Sequence, residues 1–227
     1  MRDGNGHMTD ADYRPSFFDV SNLEEAMTII LTPEDGVSPQ DRWQRETPPM
    51  GEMLAARLSP SSHQIVIDYG CGVGRLAKEL IERTGCNVIG VDISRSMRAL
   101  AHTYCEADSF FSCSKNSLRT MINGGLRASH AYSVWVLQHT EEPEEDIDLI
   151  YDALADGATF LVVNLDYRCL PTAQGWRNDG IDVKKLIEHR FDIIEYFPAP
   201  EGAVTDLARL ISFCGLYRKL PTGNQVT

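Results

Sequence analysis

One segment, Ile65–Arg75, limits most strongly which folds this chain can adopt. It reads IVIDYGCGVGR. An apolar run typical of a buried strand leads into glycines at positions 70, 72 and 74, and a helical pattern follows. Glycines after a strand let a ligand approach the backbone closely. A dinucleotide-binding turn has the spacing G-x-G-x-x-G, but Arg75 occupies the place of its third glycine, so the spacing here is G-x-G-x-G.

Two acidic residues accompany this turn. Asp68 lies two residues before Gly70, where its carboxylate would repel a pyrophosphate and attract the ammonium group of an amino-acid-like ligand. Asp92 ends the apolar run VIGVD, at the position where an acidic side chain accepts hydrogen bonds from both ribose hydroxyls. The pattern therefore favours a ligand that carries a positive amino group and a ribose.

From residue 64 onward, apolar runs alternate with amphipathic stretches. The runs predict strands at Gln64–Asp68, Val88–Asp92, Phe110–Cys113, Ala131–Leu137 and Thr159–Leu165. The stretches predict helices at Arg75–Arg83, Ser94–Tyr104, Asn116–Ile122, Glu144–Ala155 and Ile181–His189. This alternation predicts an α/β fold with a doubly wound, mostly parallel sheet. Two further runs, at 191–197 and 207–217, predict an antiparallel pair at the end of the chain.

The residues before this alternation predict helices and no strand. Residues 21–31 have a helical pattern in which Ser21 is the N-cap and Glu24 stands at the capping-box position. Two shorter helices are predicted on either side of Pro48 and Pro49, because proline interrupts a helix. Their expected ranges are 38–46 and 50–58.

These patterns divide the chain into three parts. We expect a disordered tail at 1–15, a helical extension or lid at 16–60, and the α/β domain at 61–220. The first residues lack the basic start and apolar centre of a secretory signal, and no run approaches the ~18 apolar residues that cross a bilayer. The sequence therefore predicts a cytoplasmic protein without a membrane partner.

Charge and cysteine spacing exclude several classes of function. The formal net charge of −12 disfavours DNA and RNA, because nucleic-acid binding relies on clustered lysine and arginine. The six cysteines form no C-x-x-C pair and have no histidine at zinc-ligand spacing. We expect reduced thiols, no metal site and a small-molecule substrate.

The glycine turn and its acidic neighbours resemble a known family. The motif residues are Asp68, Gly70, Gly72, Gly74 and Asp92. With them, the chain resembles the class I S-adenosylmethionine-dependent methyltransferases over roughly residues 50–218, including the order of strands and helices. The run VWVLQHT at 134–140 resembles a small-molecule subgroup. The resemblance implies a Rossmann-like, seven-stranded sheet with an antiparallel last strand.

The resemblance also implies S-adenosylmethionine as cofactor and S-adenosylhomocysteine as product. Asp68 and the Gly70 carbonyl would face the methionine ammonium, Asp92 would hold the ribose, Ile93 would pack on the adenine, and the backbone near Leu137 would border the methyl site. The implied cofactor-binding set is Asp68, Gly70, Cys71, Gly72, Asp92, Ile93, Ser114 and Leu137.

The chain departs from the family after the third strand. The family often has an aspartate there that accepts a hydrogen bond from the adenine amino group, whereas this chain reads FFSCSKN. Ser114, Lys115 and Asn116 are the side chains available. If Ser114 takes the position, its hydroxyl still accepts that bond.

Methyl transfer from a sulfonium is an in-line displacement, so the protein mainly aligns the nucleophile ~3 Å from the methyl group and excludes water. A phenol or ammonium acceptor also needs a base to remove its proton. His139, just past the fourth strand, is the catalytic candidate. The alternative is that His139 orders the loop before the acidic helix.

Four residues are candidates for substrate contacts. Arg42 would meet the methionine carboxylate and Trp43 the sulfonium, unless both belong to an amphipathic helix packed on the sheet. Trp176 and Asn178 follow the fifth strand on the side where such sheets bind ligands, and Asn178 alternatively caps the next helix.

The leading functional hypothesis is a methyltransferase that acts on an oxygen or nitrogen atom of a small molecule. One alternative is a non-catalytic protein that binds S-adenosylmethionine or S-adenosylhomocysteine. Another is a methyltransferase that acts on a protein. The N/D-P-P-Y signature of adenine-modifying members is replaced by Leu137, Gln138 and His139.

Overall fold

A computed structural model of the chain describes residues 13–34 and 36–221. The strands are β1 (Ile65–Tyr69), β2 (Asn87–Val91), β3 (Phe110–Cys113), β4 (Ala128–Val134), β5 (Leu154–Leu165), β6 (Leu170–Thr172), β7 (Gly175–Arg177), β8 (Asp192–Phe197) and β9 (Ser212–Arg218). The helices are α1 (Leu23–Ile30), α2 (Pro39–Leu58), α3 (Arg75–Thr84), α4 (Arg95–Cys105), α5 (Lys115–Asn123), α6 (Pro143–Ala153), α7 (Val183–Arg190) and α8 (Asp206–Leu210). Two short 3-10 helices span Pro15–Phe18 and Leu137–His139.

Seven strands form one sheet in the order β3-β2-β1-β4-β5-β9-β8. Strands β1 to β5 run parallel, and β9 is antiparallel to both of its neighbours, β5 and β8. The predicted doubly wound, mostly parallel sheet with an antiparallel last strand is confirmed. Strands β6 and β7 form a separate hairpin after β5.

Helices cover both faces of the sheet, so the central strands are buried on both sides. Adjacent residues Val66 and Ile67 of β1 are both fully buried and belong to different core clusters, as the period of two in a strand requires. Helices α2 and α3 pack on the Val66 side, where Met50, Leu54 and Leu80 are completely buried. This packing joins the extension to the α/β domain.

The helical extension differs from its prediction in two details. The N-cap of α1 is Asn22, whose side-chain oxygen accepts a hydrogen bond from the Glu25 amide, and the Glu25 carboxylate accepts one from the Ser21 amide. The expected capping box is therefore shifted by one residue.

The second difference is that α2 runs unbroken through Pro48 and Pro49. The Thr47 hydroxyl donates to the Trp43 carbonyl, and Arg83 donates to the Pro48 carbonyl at 3.2 Å. These bonds, together with the buried side chains that follow the prolines, offset the loss of two helical hydrogen bonds.

Two predicted strands have different ends. The predicted strand at 207–217 begins only at Ser212, because Thr205 caps α8 by accepting from the Ala208 amide. The predicted strand at Ala131–Leu137 is β4, which ends at Val134; a left-handed residue and a 3-10 turn follow it.

Tyr13 pairs with Thr172 in an isolated antiparallel bridge. The Arg14 amide donates to the Pro171 carbonyl at 2.9 Å. These backbone bonds contradict a disordered tail for residues 13–15, whereas residues 1–12 lie outside the described residues.

Lys219 provides a test of how the end of α6 is stabilised. Its buried ammonium donates to the carbonyls of Tyr151 and Leu154, both at 2.8 Å. Lys219→Met removes both of these hydrogen bonds and lowers the free energy of unfolding by about 2 kcal/mol, measured by urea denaturation. The control Lys185→Met, at an exposed lysine, changes it by less than about 0.5 kcal/mol. Equal effects would contradict the capping role.

Candidate cofactor and acceptor site

A cavity opens at the carboxyl ends of β1, β2 and β4, where the strand order reverses and where open α/β sheets bind ligands. The turn after β1, the loop after β4 and residues of the N-terminal segment surround it. The predicted residues that line it are Asp68, Gly70, Cys71, Gly72, Asp92, Ile93 and His139. The structure thus brings most of the predicted cofactor set together.

The glycine turn depends on left-handed backbone geometry and close packing. Gly70, Gly72 and Gly74 have φ values of +83°, +53° and +77°. The amides of Gly70 and Cys71 donate to the Val91 carbonyl at 2.7 and 3.1 Å, which ties the turn to the end of β2. No other residue type combines these dihedral angles with a backbone left open to a ligand.

Asp92 is held by the same turn. Its carboxylate oxygens accept hydrogen bonds from the amides of Gly72 and Ser94, both at 2.8 Å. Burial raises the pKa of Asp92, and these two amide bonds oppose the increase. Each carboxylate oxygen retains a second lone pair, so the side chain fits the diol of a ribose.

Asp68 is buried at the end of β1. Burial raises the pKa of its carboxyl group to about 7, and the nearby charge of Asp92 adds to the increase. A cationic group in the cavity would favour the ionised form. The side chain therefore fits an ammonium ligand, as the sequence predicts.

Arg75 is a cavity residue whose role the sequence reasoning missed. Its buried guanidinium donates to the Thr47 hydroxyl at 3.1 Å and lies 5.3 Å from the centroid of the Trp43 ring. Its Nε atom is buried without a hydrogen-bond partner among the described residues. A cation with a spare donor beside the turn fits a carboxylate ligand. The available signal was its place as the first residue after Gly74.

Arg42 and Trp43 do not line the cavity. Arg42 donates to both carboxylate oxygens of Glu46, at 2.8 and 3.0 Å, and to the Thr32 carbonyl at 2.6 Å. The Trp43 indole donates to the Tyr104 hydroxyl at 3.0 Å. Both side chains are buried, so the structure places them in the packing of α2 rather than in a ligand site.

His139 lies in the cavity wall as a neutral imidazole. Its Nδ1 atom is 2.6 Å from the Cys169 carbonyl oxygen, and this contact requires a proton on Nδ1. Its Nε2 atom accepts a hydrogen bond from the side-chain amide of Gln138 at 3.2 Å. Burial lowers the pKa of His139 to about 4, against an opposing contribution from the Cys169 carbonyl. This environment disfavours a proton-accepting role near neutral pH.

The loop after β4 begins at Trp135, which lines the cavity and has a φ of +54°. For a bulky residue this is a strained backbone, and such strain often accompanies functional sites. The Trp135 amide donates to the Val163 carbonyl at 2.7 Å, and its indole lies 3.3 Å from the Ser212 hydroxyl. These contacts set the conformation of Trp135.

Leu137, expected near the methyl site, is completely buried and lies outside the cavity lining. Its carbonyl accepts a hydrogen bond from Arg168 at 3.2 Å, and Arg168 also donates to the Glu141 carbonyl and to Asp179. The buried Arg168 side chain therefore holds the loop after β4 in place. The cavity is lined here by Val134, Trp135 and Val136 instead of Leu137.

Ser114 is the N-cap of α5 and does not line the cavity. Its hydroxyl accepts a hydrogen bond from the Ser117 amide at 3.2 Å, which occupies it locally. Lys115 lines the cavity instead, and its ammonium pairs with the buried carboxylate of Asp146. Asp146 also accepts from the Tyr69 hydroxyl at 2.7 Å.

Trp176 and Asn178 lie in and after the β6–β7 hairpin. Trp176 is half exposed and its ring is 5.1 Å from that of His139. Asn178 is exposed and accepts from the Gly180 amide, while the cap of α7 is Asp182. The structure thus places Trp176 beside His139 but outside the cavity lining, and it leaves Asn178 in a surface turn.

Cys71 lies beside the turn with its thiol buried, and burial raises its pKa well above the usual value, which disfavours a thiolate. Within residues 13–34 and 36–221, no three side chains of the His, Cys, Asp and Glu types come together as a metal site. No helix in the same ranges is long and apolar enough to cross a membrane.

Fold and site together define a Rossmann-like domain of the methyltransferase type. It has a G-x-G-x-G turn, and an acidic residue stands at the end of each of the first two strands. The chain belongs to the family described as "Methyltransferase domain", whose model matches residues 43–212.

Among curated proteins, the chain is similar to sterol 24-C-methyltransferases of two yeasts. It is 29% identical over 112 residues to that of Kluyveromyces lactis, covering 48% of this chain and 30% of the relative. It is 29% identical over 126 residues to that of Saccharomyces cerevisiae, covering 49% of this chain and 33% of the relative. The matched region thus spans about a third of the length of these relatives.

Solved structures share the fold at low sequence identity. The 1,6-didemethyltoxoflavin-N1-methyltransferase of Burkholderia thailandensis, solved with that compound and S-adenosylhomocysteine, has a TM-score of 0.58 at 20% identity. The match covers 80% of this chain and 82% of that one. The [4+2]-cyclase SpnF has a TM-score of 0.59 at 13% identity, with coverages of 86% and 93%.

Gly70 allows a test of the turn with a matched control. A Cβ atom at Gly70 would lie 2.1 Å from Cγ2 of Val136, whereas one at Gly125, where φ is also positive, meets no atom within 4 Å. We expect Gly70→Ala to lower the free energy of unfolding by about 3 kcal/mol, and Gly125→Ala by about 1 kcal/mol. Urea denaturation measures both, and equal losses would show that the close contact is relieved.

Asp68 makes the stability depend on pH. Its pKa is raised by folding, so the ionised form destabilises the folded state above pH 7, and the effect vanishes below about pH 4, where both states are protonated. Asp68→Asn therefore raises the free energy of unfolding at pH 8 by up to about 4 kcal/mol. The exposed control Asp108→Asn changes it by less than about 0.5 kcal/mol. A less stable Asp68→Asn variant at pH 8 would contradict this account.

Proposed function

We propose that this chain transfers the methyl group of S-adenosylmethionine to an oxygen or nitrogen atom of a small molecule. The observation that carries the proposal is the convergence of Asp68, Arg75 and Asp92 on one cavity beside the glycine turn. An amino-acid-like nucleoside has an ammonium, a carboxylate and a ribose diol, and these three side chains complement those groups. The sterol 24-C-methyltransferases and the 1,6-didemethyltoxoflavin-N1-methyltransferase that the chain resembles support a small-molecule acceptor.

Each of these side chains has a defined part in holding the cofactor. The Asp68 carboxylate binds the ammonium, the Arg75 guanidinium binds the carboxylate through its spare Nε donor, and the Asp92 carboxylate binds the ribose hydroxyls. Ile93, which is 46% exposed in the cavity wall, packs on the adenine. S-adenosylmethionine supplies an electrophilic methyl group on a positively charged sulfur.

The chain's own contribution to the transfer is alignment and exclusion of water. Phe18, Ile29 and Ile30, from the N-terminal segment, line the cavity above the turn and shield it from solvent. In this proposal the extension serves as the lid over the cofactor. Because His139 is neutral and weakly basic, the methyl transfer relies on proximity of the two reactants. The ring of His139 then shapes the acceptor site.

Calorimetric titration tests the cofactor assignment. We expect binding of S-adenosylmethionine and S-adenosylhomocysteine and no binding of NAD. Asp92→Asn removes a charged acceptor and lowers both affinities by about tenfold or more, whereas Asp108→Asn leaves them unchanged. Formation of S-adenosylhomocysteine in the presence of phenols, amines and heteroaromatic compounds then separates an enzyme from a cofactor-binding protein. Binding of NAD alone would overturn the proposal.

The protonation state of His139 decides whether it acts as a base. We expect its ring to stay neutral from pH 8 down to pH 5, because burial holds its pKa at about 4. Nitrogen-15 NMR of the imidazole, assigned with His139→Gln, measures this in the protein saturated with S-adenosylhomocysteine. A midpoint at pH 6.5 or above would instead support His139 as the general base.

A further inference from the structure

The acceptor half of the cavity is chemically distinct from the cofactor half. We define it as the part lined by Tyr13, Phe18, Ile29, Ile30, His139 and Thr140. Its side chains are aliphatic, aromatic or neutral, and they come from the N-terminal segment and the loop after β4. The charged residues that complement the cofactor instead lie in β1, at the start of α3 and just after β2.

Four rings form a continuous path from this half of the cavity to the surface. Phe18 and His139 have ring centroids 5.7 Å apart, His139 and Trp176 are 5.1 Å apart, and Trp176 and Phe17 are 4.6 Å apart. Phe17 and Trp176 are 48% and 51% exposed. Such half-exposed rings contribute little to a core and offer faces to a ligand.

Hydrogen bonds join the segments that carry these rings. The rings belong to three separate segments: the first 3-10 helix, the loop after β4 and the β6–β7 hairpin. The bridge between Tyr13 and Thr172 and the hydrogen bond from Arg14 to Pro171 join the first segment to the hairpin. The bond between His139 and the Cys169 carbonyl joins the loop to the start of the same hairpin.

Among the described residues that line this half of the cavity, none offers an unpaired cation to an anionic acceptor. Burial raises the pKa of Tyr13 to about 12, and the carboxylates of Glu141 and Asp146 add to the increase, so its hydroxyl stays protonated. The Lys115 ammonium is paired with Asp146. The imidazole of His139 is neutral.

We propose that the methyl acceptor is an uncharged aromatic or heteroaromatic compound. Its ring packs against Phe18 and His139, and Trp176 and Phe17 form the entrance. This inference rests on the proposed methyl-transfer function, since it names the substrate class of the same site. Flat rings match the ring faces along the path, while a carboxylate or phosphate would find no free cation among the described lining residues of the acceptor half.

Three probes with the same fused bicyclic carbon skeleton separate aromaticity from charge. Protein saturated with S-adenosylhomocysteine is titrated by calorimetry with 2-naphthol, with its saturated analogue decahydro-2-naphthol, and with 6-hydroxy-2-naphthoate. We expect 2-naphthol to bind about tenfold more tightly than either of the others.

Variants of Trp176 locate the binding. We expect Trp176→Leu to weaken 2-naphthol binding by about fivefold to tenfold and Trp176→Phe to restore most of it. The matched control is Phe111→Leu, at an exposed aromatic residue of the edge strand β3, which leaves binding unchanged. None of these variants changes the affinity for S-adenosylhomocysteine.

The outcomes distinguish this inference from the function on which it rests. If S-adenosylhomocysteine does not bind, the proposed function fails. If it binds but 2-naphthol does not, or binds no better than the saturated or the anionic probe, the aromatic acceptor class is wrong while the methyltransferase proposal stands. Equal losses in Trp176→Leu and Phe111→Leu would place the ring elsewhere and also overturn the inference.

Discussion

The carbonyl of Val91 and the carboxylate of Asp92 organise the site. They accept hydrogen bonds from three consecutive amides of the turn after β1, those of Gly70, Cys71 and Gly72. The end of β2 therefore fixes the conformation of a turn that precedes it in the chain. The cavity, the position of Asp68 and the start of α3 all depend on this arrangement, because a turn without these acceptors would leave buried amides unpaired.

The site concentrates charge in a buried place. Burial raises the pKa of Asp68 and of Asp92, and it lowers the pKa of Arg75. Uncompensated burial of this kind lowers the stability of a folded protein, so these residues are poorly explained by folding alone. A ligand that brings complementary charges would offset the unfavourable burial, which is why the three together point to a zwitterionic partner.

Two parts of the chain complete the cavity from a distance. The N-terminal segment is held by backbone bonds to the β6–β7 hairpin, and the loop after β4 is held by the buried side chain of Arg168. The strained Trp135 begins this loop and lines the cavity. The acceptor half is thus assembled from segments that are far apart in sequence, while the cofactor half comes largely from one strand, turn and helix.

The sequence by itself determined the alternation of strands and helices and the glycine turn with its acidic neighbours, because both patterns are local in sequence. The spacing of glycines and the residue that ends each strand are set over a few positions, and Asp68, Gly70, Gly72 and Asp92 lie where that spacing predicts. The continuity of α2 through two prolines and the burial of Trp43 were decided by tertiary structure, because they depend on contacts with Arg83 and Tyr104, which are remote in sequence. The caps formed by Ser114 and Thr205 are local hydrogen bonds, which the pattern of apolar residues does not reveal. The acceptor half was also decided by tertiary structure, since its rings meet only when three segments are packed together.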